Sequence, residues 1–236
     1  MTVRWLLLSQ SALPEGDEWL GPEERKVLRG LRFPKRRAEW RLGRFVAKRT
    51  VSSFAGVVDL SRIQILAAED GAPEAWIDGE RADSGISISH RDRLAACVIA
   101  ESTPVGCDLE AVEPRSSRFV NDFFTERERM AVETTADAHR ARQVALTWSA
   151  KESALKLLRV GLRRDTRSVE VEIDDVEALE AGWHPLRATV SPEGQTFRGW
   201  WRQEDETVLT IVSDEETQSR TASVSGKPMH SPPRRL

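Results

Sequence analysis

Residues 105–110 read Val105-Gly106-Cys107-Asp108-Leu109-Glu110, and this stretch decides how the chain divides. It follows a break at residues 101–104, Glu-Ser-Thr-Pro, and its side chains alternate as in a β-strand. Asp108 and Glu110 therefore share one face, about 7 Å apart along the chain, while Cys107 points into the core. Helices followed by strands occur on both sides of the break, which predicts two similar α+β halves joined near Ser102–Pro104.

The first half has the pattern of one strand, two helices and several further strands. Gly21-Pro22-Glu23-Glu24 is typical of a helix start, because proline fits the first helical position and acids favour the positive end of the dipole. The predicted elements are a strand at Val3–Ser9, helices from Pro22 and over about Lys35–Phe54, strands at Ile63–Leu66, Ala75–Ile77, Ile86–Ser89 and Leu94–Ala100, and a turn at His90–Arg93.

The second half repeats this order. Thr125-Glu126-Arg127-Glu128 fits a capping box at a helix start. A long helix is predicted over about Ala138–Leu158, and Gly161 is expected to stop it. The strands expected after it are Val169–Ile173, Arg187–Val190, Thr196–Arg202 and Val208–Val212. We therefore expect a first domain over 1–103, a second over 104–213, and a flexible tail over 214–236, where Ser, Thr, Glu and Pro dominate.

Composition excludes several classes of protein. The chain has 236 residues and a formal net charge of −3, which gives no electrostatic reason to expect nucleic-acid binding. Its two cysteines, Cys97 and Cys107, have no metal-binding spacing and are expected to be buried thiols. The apolar run near the N-terminus is too short for a signal peptide or a membrane span, so we expect a cytoplasmic protein without a membrane partner.

The Asp108–Glu110 pair is the first candidate site. Two carboxylates this close repel by roughly a few kcal/mol at an effective dielectric of about 20. A proton, a basic side chain or a hard cation would relieve that repulsion. The alternative is an ordinary strand face exposed to solvent.

A second candidate lies in the long helix, at Trp148-Ser149-Ala150-Lys151-Glu152-Ser153-Ala154-Leu155-Lys156. Helical spacing places Trp148, Glu152 and Lys156 on one stripe, with Lys151 beside them. The alternative is an amphipathic helix that carries an ordinary Glu–Lys pair.

Two further groups of residues could bind anions. Ser87-Ile88-Ser89-His90 ends a predicted strand and offers hydroxyl and imidazole donors to phosphate oxygens, although a histidine there could simply stabilise a turn. Arg37, Arg41, Arg44 and Lys48 lie along one side of the second helix, which predicts either an anion-binding edge or a solvated face. The sequence contains no glycine-rich phosphate loop.

Taken in order, these motifs resemble the Sfp-type 4′-phosphopantetheinyl transferases. That family has a Gly-x-Asp-x-Glu strand followed by a Trp-x-x-Lys-Glu-Ser-x-x-Lys helix, with a Ser-His pair upstream, and the resemblance covers about Gly21 to Val212. The sequence departs from the family at Gly71-Ala72-Pro73, where many members have Gly-Lys-Pro, so a nearby arginine would have to supply the phosphate contact of that lysine.

The resemblance implies a monomer of two pseudo-symmetric α+β halves, each with helices packed on a small, mostly antiparallel sheet, and an active site with coenzyme A in the cleft between them. It implies that Mg²⁺ is held by Asp108, Glu110 and Glu152. It further implies that the coenzyme is bound by Arg44, Ser89, His90 and Lys156, with Lys151 as an additional candidate.

The implied reaction transfers the phosphopantetheine arm of coenzyme A to a serine of an apo acyl or peptidyl carrier protein. In that reaction, the resemblance makes Glu152, Lys156 and Asp108 the catalytic residues, and basic residues near Arg163-Arg164 would meet the carrier. Two alternatives stay open: a catalytically silent protein that binds coenzyme A, and a different Mg²⁺-dependent phosphoryl-transfer enzyme or hydrolase, such as a nuclease.

Overall fold

The computed structural model describes residues 2–173, 182–214 and 223–225, with the backbone alone for Thr2 and 223–225. The chain is an α+β protein, as its sequence predicts, and its described residues form two compact units that divide between Thr103 and Pro104. Residues 223–225 belong to the first unit. No described helix combines the length and the apolar character that crossing a membrane requires.

The first unit packs two helices on antiparallel strands. Its helices are α1 (Pro22–Gly30) and α2 (Pro34–Ala55), and α2 packs against strands β1 and β6. The strands form two sheets, in the orders β12-β1-β6-β5 and β2-β3-β4. The strands are β1 (Thr2–Ser9), β2 (Ile63–Ala67), β3 (Pro73–Ile77), β4 (Glu80–Arg81), β5 (Ser84–Arg91), β6 (Leu94–Glu101) and β12 (Ser223–Ser225).

The second unit packs three helices on one antiparallel sheet. Its helices are α3 (Ser117–Phe123), α4 (Glu126–Thr134) and α5 (Asp137–Leu157). The sheet has the order β7-β11-β10-β9-β8, and each strand is antiparallel to its neighbours. The strands are β7 (Val105–Ala111), β8 (Val169–Ile173), β9 (His184–Val190), β10 (Gln195–Glu204) and β11 (Thr207–Ser213).

The apolar side chains that mark the predicted elements form a hydrophobic core in each unit. In the first unit, Leu42, Phe45 and Val46 of α2 pack with strand residues such as Ile63 and Ile99. In the second, α5 contributes Leu146, Ala150 and Leu155 to a core that includes Phe197 and Val212. Cys97 and Cys107 are fully buried thiols, as the sequence predicts.

The structure differs from the sequence prediction at several chain segments. Helix α5 ends at Leu157, within one residue of the prediction, but the residue that turns the chain out of the helix is Arg159, with a left-handed φ of 59°, and not Gly161. The turn after β5 begins at Asp92, so His90 and Arg91 are strand residues. Of the predicted flexible tail, Ser223–Ser225 pairs in parallel with β1, and apart from Asp214 the remaining tail residues lie outside the described part of the chain.

Corresponding hairpins show that the two units share one plan. The β5–β6 hairpin turns at Asp92 and the β10–β11 hairpin at Asp205, and both aspartates have positive φ, 52° and 49°. Five residues after each turn, Cys97 lies opposite Leu6 of β1, while Thr210 lies opposite Asp108 of β7. In the same strand pairs, the residue three positions after the turn lies opposite Leu8 in the first unit and opposite Glu110 in the second. The first unit therefore has leucines where the second has acids.

Candidate active site

The two carboxylates of β7 are buried. Asp108 is 3% exposed and Glu110 is 9% exposed, so the alternative of an ordinary solvated strand face is wrong. Buried carboxylates need hydrogen bonds or opposite charges around them, because an isolated buried charge is strongly unfavourable. The neighbours of these two residues therefore decide what the site can do.

Glycine 106 allows helix α5 to approach this strand closely. A Cβ atom at Gly106 would lie 1.9 Å from the backbone oxygen of Ser153 and 2.8 Å from the backbone nitrogen of Leu157, far inside any permitted contact. The strand and the helix therefore meet backbone to backbone at this point. Ser153 adds a hydroxyl–hydroxyl hydrogen bond of 2.7 Å to Thr210 of the neighbouring strand.

Lysine 156 lies among the acids that this contact brings together. Its Nζ is 2.6 Å from Oδ1 of Asp108 and 4.0 Å from Oε2 of Glu152, and it also donates to the carbonyl oxygen of Cys107 at 3.1 Å. Burial has the largest single effect and acts to lower the pKa of Lys156, but Asp108, Cys107 and Glu152 together outweigh it, so the pKa is raised and the ammonium stays charged. The structure thus brings together Asp108, Glu152 and Lys156, three residues that the sequence places on one site.

Glutamate 152 shows that negative charge is in excess here. Burial, followed by the repulsion of Asp108 and then Glu110, raises its pKa to about 7, although Lys156 and a hydrogen bond from Trp148 act in the opposite direction. The Trp148 ring itself is held by edge contacts to Phe119 and Phe123, with centroids 5.0 and 5.2 Å away. A cation bound among these carboxylates would offset the repulsion.

Arginine 115 is a member of the site that the sequence did not reveal. Its Nη2 is 3.2 Å from Oε2 of Glu110 and 3.0 Å from Oε1 of Glu113, and its guanidinium lies 5.4 Å above the ring of Phe119. Nothing in the motif points to it, because three residues of irregular chain separate it from the strand.

The oxygen donors are of the kind that Mg²⁺ takes. Within the described ranges, no group of three His, Cys, Asp or Glu side chains is assembled closely enough to hold a metal ion. Magnesium commonly uses only one or two protein carboxylates and completes its octahedron with phosphate oxygens and water. The carboxylates therefore fit a magnesium ion that arrives with an anionic ligand, with Lys156 close by to meet the same anion.

The two other lysines predicted to meet an anion are structural. Lys151 is fully buried, forms an ion pair with Glu128 at 2.8 Å and donates to the carbonyl oxygens of Thr166 and Val169. Lys48 is equally buried and pairs with Glu24. The expectations that Lys151 contacts the coenzyme and that Lys48 lines an anion-binding edge are therefore corrected: both ammonium groups are enclosed by their own unit.

The remaining predicted coenzyme contacts belong to the first unit. The guanidinium of Arg44 lies 5.0 Å above the Trp40 ring, and burial lowers its pKa despite the opposite effect of Glu24. Ser89 is 6% exposed within β5, and His90 is exposed near the end of that strand. Their roles stay predictions.

Two family models match this chain. One describes the 4′-phosphopantetheinyl transferase superfamily and matches residues 104–212, and the other describes the 4′-phosphopantetheinyl transferase N-terminal domain and matches residues 26–100. The boundary between the matches falls at the junction of the two units. Together they cover the strand with the acids, all of helix α2 and the second half of helix α1.

Named relatives are similar over parts of their length. The 4′-phosphopantetheinyl transferase HetI of a Nostoc species is 26% identical over 61% of this chain and 61% of its own. The L-aminoadipate-semialdehyde dehydrogenase-phosphopantetheinyl transferase of Xenopus laevis is 25% identical over 77% of this chain and 65% of its own. The chain thus spans a little under two thirds of the length of these relatives.

Among solved structures, the holo-[acyl-carrier-protein] synthase of Thermotoga maritima is similar at a TM-score of 0.34 and 21% identity, over 52% of this chain and 74% of that one. The two family matches account for nearly all of residues 26–212 and follow the order of the two units. The chain belongs to the 4′-phosphopantetheinyl transferase superfamily.

Proposed function

We propose that this protein transfers the 4′-phosphopantetheine arm of coenzyme A to a serine hydroxyl of an apo acyl or peptidyl carrier protein and releases 3′,5′-ADP. The observation that carries the proposal is the convergence of Asp108, Glu152 and Lys156, with distances of 2.6 and 4.0 Å from the lysine nitrogen to the two acids. Membership of the superfamily and the names of both relatives point in the same direction.

The chemistry of this reaction suits such a site. Displacement at phosphorus depends on alignment and on neutralising charge more than on covalent help from the protein. Asp108, Glu110 and Glu152 would hold Mg²⁺, and a bound Mg²⁺ would polarise the pyrophosphate and neutralise charge on the departing 3′,5′-ADP. Burial is the largest cause of the raised pKa of Glu152, and repulsion by Asp108 is the next, so a cation bound beside these acids would lower that pKa.

The protein's own residues would do the rest. Lys156, whose ammonium stays charged, would bind pyrophosphate oxygens and neutralise their charge. Arg44, Ser89 and His90 would hold phosphates of the coenzyme. Glu152 would accept the proton of the carrier serine, directly or through water, as the new oxygen–phosphorus bond forms and the bond to 3′,5′-ADP breaks.

A direct assay tests the proposal. Incubation with coenzyme A, Mg²⁺ and a panel of apo carrier proteins should add one phosphopantetheine mass to a carrier serine, as read by mass spectrometry. Transfer should stop when a chelator removes the divalent ion and resume when Mg²⁺ is restored, because carboxylates bind a pyrophosphate only through a cation. Binding of coenzyme A without transfer to any carrier would instead identify a silent relative.

Replacing Lys156 by alanine should lower turnover by ~10²–10³-fold, the loss typical when one preorganised charge stabiliser is removed. The fold should persist, because its side chain remains 28% exposed and is not part of either core. Steady-state kinetics and circular dichroism check both statements. Lys35→Ala, a change at a lysine that is 89% exposed, is the matched control and should retain full turnover. A Lys156→Ala protein with unchanged turnover and reduced melting temperature would mean that the lysine only stabilises its helix.

The finer features of the proposal follow the family resemblance. We place the reaction in the cytoplasm and in a monomeric enzyme, with coenzyme A and carrier proteins as the partners. Size-exclusion chromatography coupled to light scattering checks the monomer.

A further inference from the structure

Two buried ion pairs occupy equivalent places in the two units. Glu24 pairs with Lys48 in the first unit, and Glu128 pairs with Lys151 in the second, with Nζ–Oε2 distances of 2.5 and 2.8 Å. None of the four side chains is more than 3% exposed. We call them the first and the second ion pair.

The two glutamates make the same backbone contacts. Each is the third residue of a helix and accepts the backbone N–H of the residue that caps it, from Gly21 at 2.9 Å and from Thr125 at 2.8 Å. The other carboxylate oxygen accepts a strand N–H, from Ile65 at 2.9 Å and from Val171 at 2.8 Å. Each carboxylate thus joins a helix N-terminus to a strand.

The two lysines add the long helix to this junction. Lys48 of α2 donates to the carbonyl oxygen of Trp19, and Lys151 of α5 donates to those of Thr166 and Val169. Each ammonium also lies near an aromatic ring, at 5.5 Å from Trp19 and 5.9 Å from Phe124. All polar groups of both pairs therefore have partners within their own unit.

Buried ion pairs of this kind are poor sources of stability. The cost of removing two charges from water offsets most of their attraction, and apolar side chains of similar size often serve as well. What such a pair can supply is geometry, because its charges tolerate only one arrangement of the elements that carry them. The importance of each pair therefore depends on which residues its long helix, α2 or α5, places in the structure.

The lysine of the second ion pair lies on the helix that carries two residues of the candidate site. Lys151 directly precedes Glu152, and one turn later the same helix carries Lys156. On its other side, α5 touches β7 at Gly106 without any side chain between the backbones. The helix is thus fixed from two sides, and a shift of one residue along it would move Glu152 by 1.5 Å and rotate it by about 100°.

We propose that Glu128 and Lys151 are positioning residues that hold Glu152 and Lys156 of α5 opposite Asp108 of β7. This inference rests on the proposed function. The first ion pair holds α2 in the same way. Glu152 and Lys156 lie one and five residues after Lys151, and the residues one and five after Lys48 are Arg49 and Ser53. It therefore provides an internal comparison.

The test compares two double variants, Glu128→Gln with Lys151→Met, and Glu24→Gln with Lys48→Met. Glutamine keeps one acceptor for the strand N–H, and methionine fills the volume of the lysine stem. Binding of Mn²⁺ in the presence of saturating coenzyme A is measured from the paramagnetic resonance of the free ion, and melting temperature is measured by calorimetry. Both variants should melt several degrees lower than the wild type.

Only the change in the second ion pair should weaken Mn²⁺ binding, by ~10–100-fold, the loss seen when a residue that orients a metal ligand is removed. Equal Mn²⁺ affinities in the two double variants would overturn the inference. If either double variant fails to fold, Lys151→Arg and Lys48→Arg replace them, since arginine keeps the charge but not the geometry of the ammonium. The same difference in Mn²⁺ affinity is expected, and its absence is again decisive.

The wild type separates this inference from the proposed function. Wild-type protein that neither binds Mn²⁺ with coenzyme A nor modifies any carrier would refute the proposed function, and the positioning role with it. Wild-type binding and transfer, together with second-pair variants that bind Mn²⁺ normally, would refute the positioning role alone.

Discussion

Replacing Asp108 by asparagine should reduce the rate of transfer from coenzyme A to a carrier serine by at least ~100-fold. That is more than the effect of removing a residue that only orients a metal ligand. Asparagine has the shape of aspartate but lacks its charge, so a hard cation loses one of the oxygens that would hold it. Lys156 also loses the carboxylate that lies 2.6 Å from its nitrogen and helps keep it charged.

The same variant should keep its fold. Asp108 is buried, but an amide oxygen can still accept from Lys156, so the melting temperature should stay within a few degrees of the wild type. Asp137→Asn makes the same chemical change at the start of α5, where the side chain is 90% exposed, and should leave transfer unaffected. An Asp108→Asn protein with wild-type turnover would remove the basis for assigning the β7 acids to metal binding.

Replacing Gly106 by alanine should damage both stability and transfer. The new methyl group would lie 1.9 Å from the backbone oxygen of Ser153, and a backbone atom cannot move aside as a flexible side chain can. Overpacking of this kind costs ~1–3 kcal/mol or more, and each kcal/mol lowers the melting temperature of a unit of roughly 100 residues by about 4–8 °C. The helix must move off the strand, which takes Glu152 and Lys156 away from Asp108.

Gly30→Ala is the matched control for this change. Gly30 ends α1 and has nothing within 4 Å of an added Cβ, so alanine there should leave the protein unchanged or slightly more stable, by up to ~1 kcal/mol. Calorimetry and the transfer assay check both variants. A Gly106→Ala protein that melts and reacts like the wild type would show that the close approach of α5 to β7 is not needed.

Most of the fold was predictable from local sequence. The predicted strands and the four predicted helices all exist, with ends within a few residues, because Pro22 and the Thr125–Glu128 capping box mark helix starts and apolar alternation marks strands. Helix α3 was missed. Its one local signal is Ser116, whose side chain accepts from the backbone of Phe119, and seven residues are too few for a hydrophobic stripe to show.

The site was predictable where the motif is local and not where it depends on tertiary contacts. Spacing alone places Glu152 and Lys156 on one stripe, but nothing local distinguishes them from Lys151, the neighbour that turns inward. Its partner Glu128 lies 23 residues earlier, and neither helical nor strand periodicity predicts a contact between residues that far apart in the sequence. Arg115 escaped notice for the same reason, since only the folded chain brings it to Glu110.

Leucines 6 and 8 have a consequence for how this protein can diverge. They stand where the other half of the chain has Asp108 and Glu110, so this acidic pair occurs in one copy of a repeated plan. In an oligomer of identical subunits, any amino-acid substitution is present in every subunit. Two similar units in a single polypeptide are not bound by this constraint. Substitutions in residues 1–103 can adapt the first unit to new partners without changing the acids of the second unit.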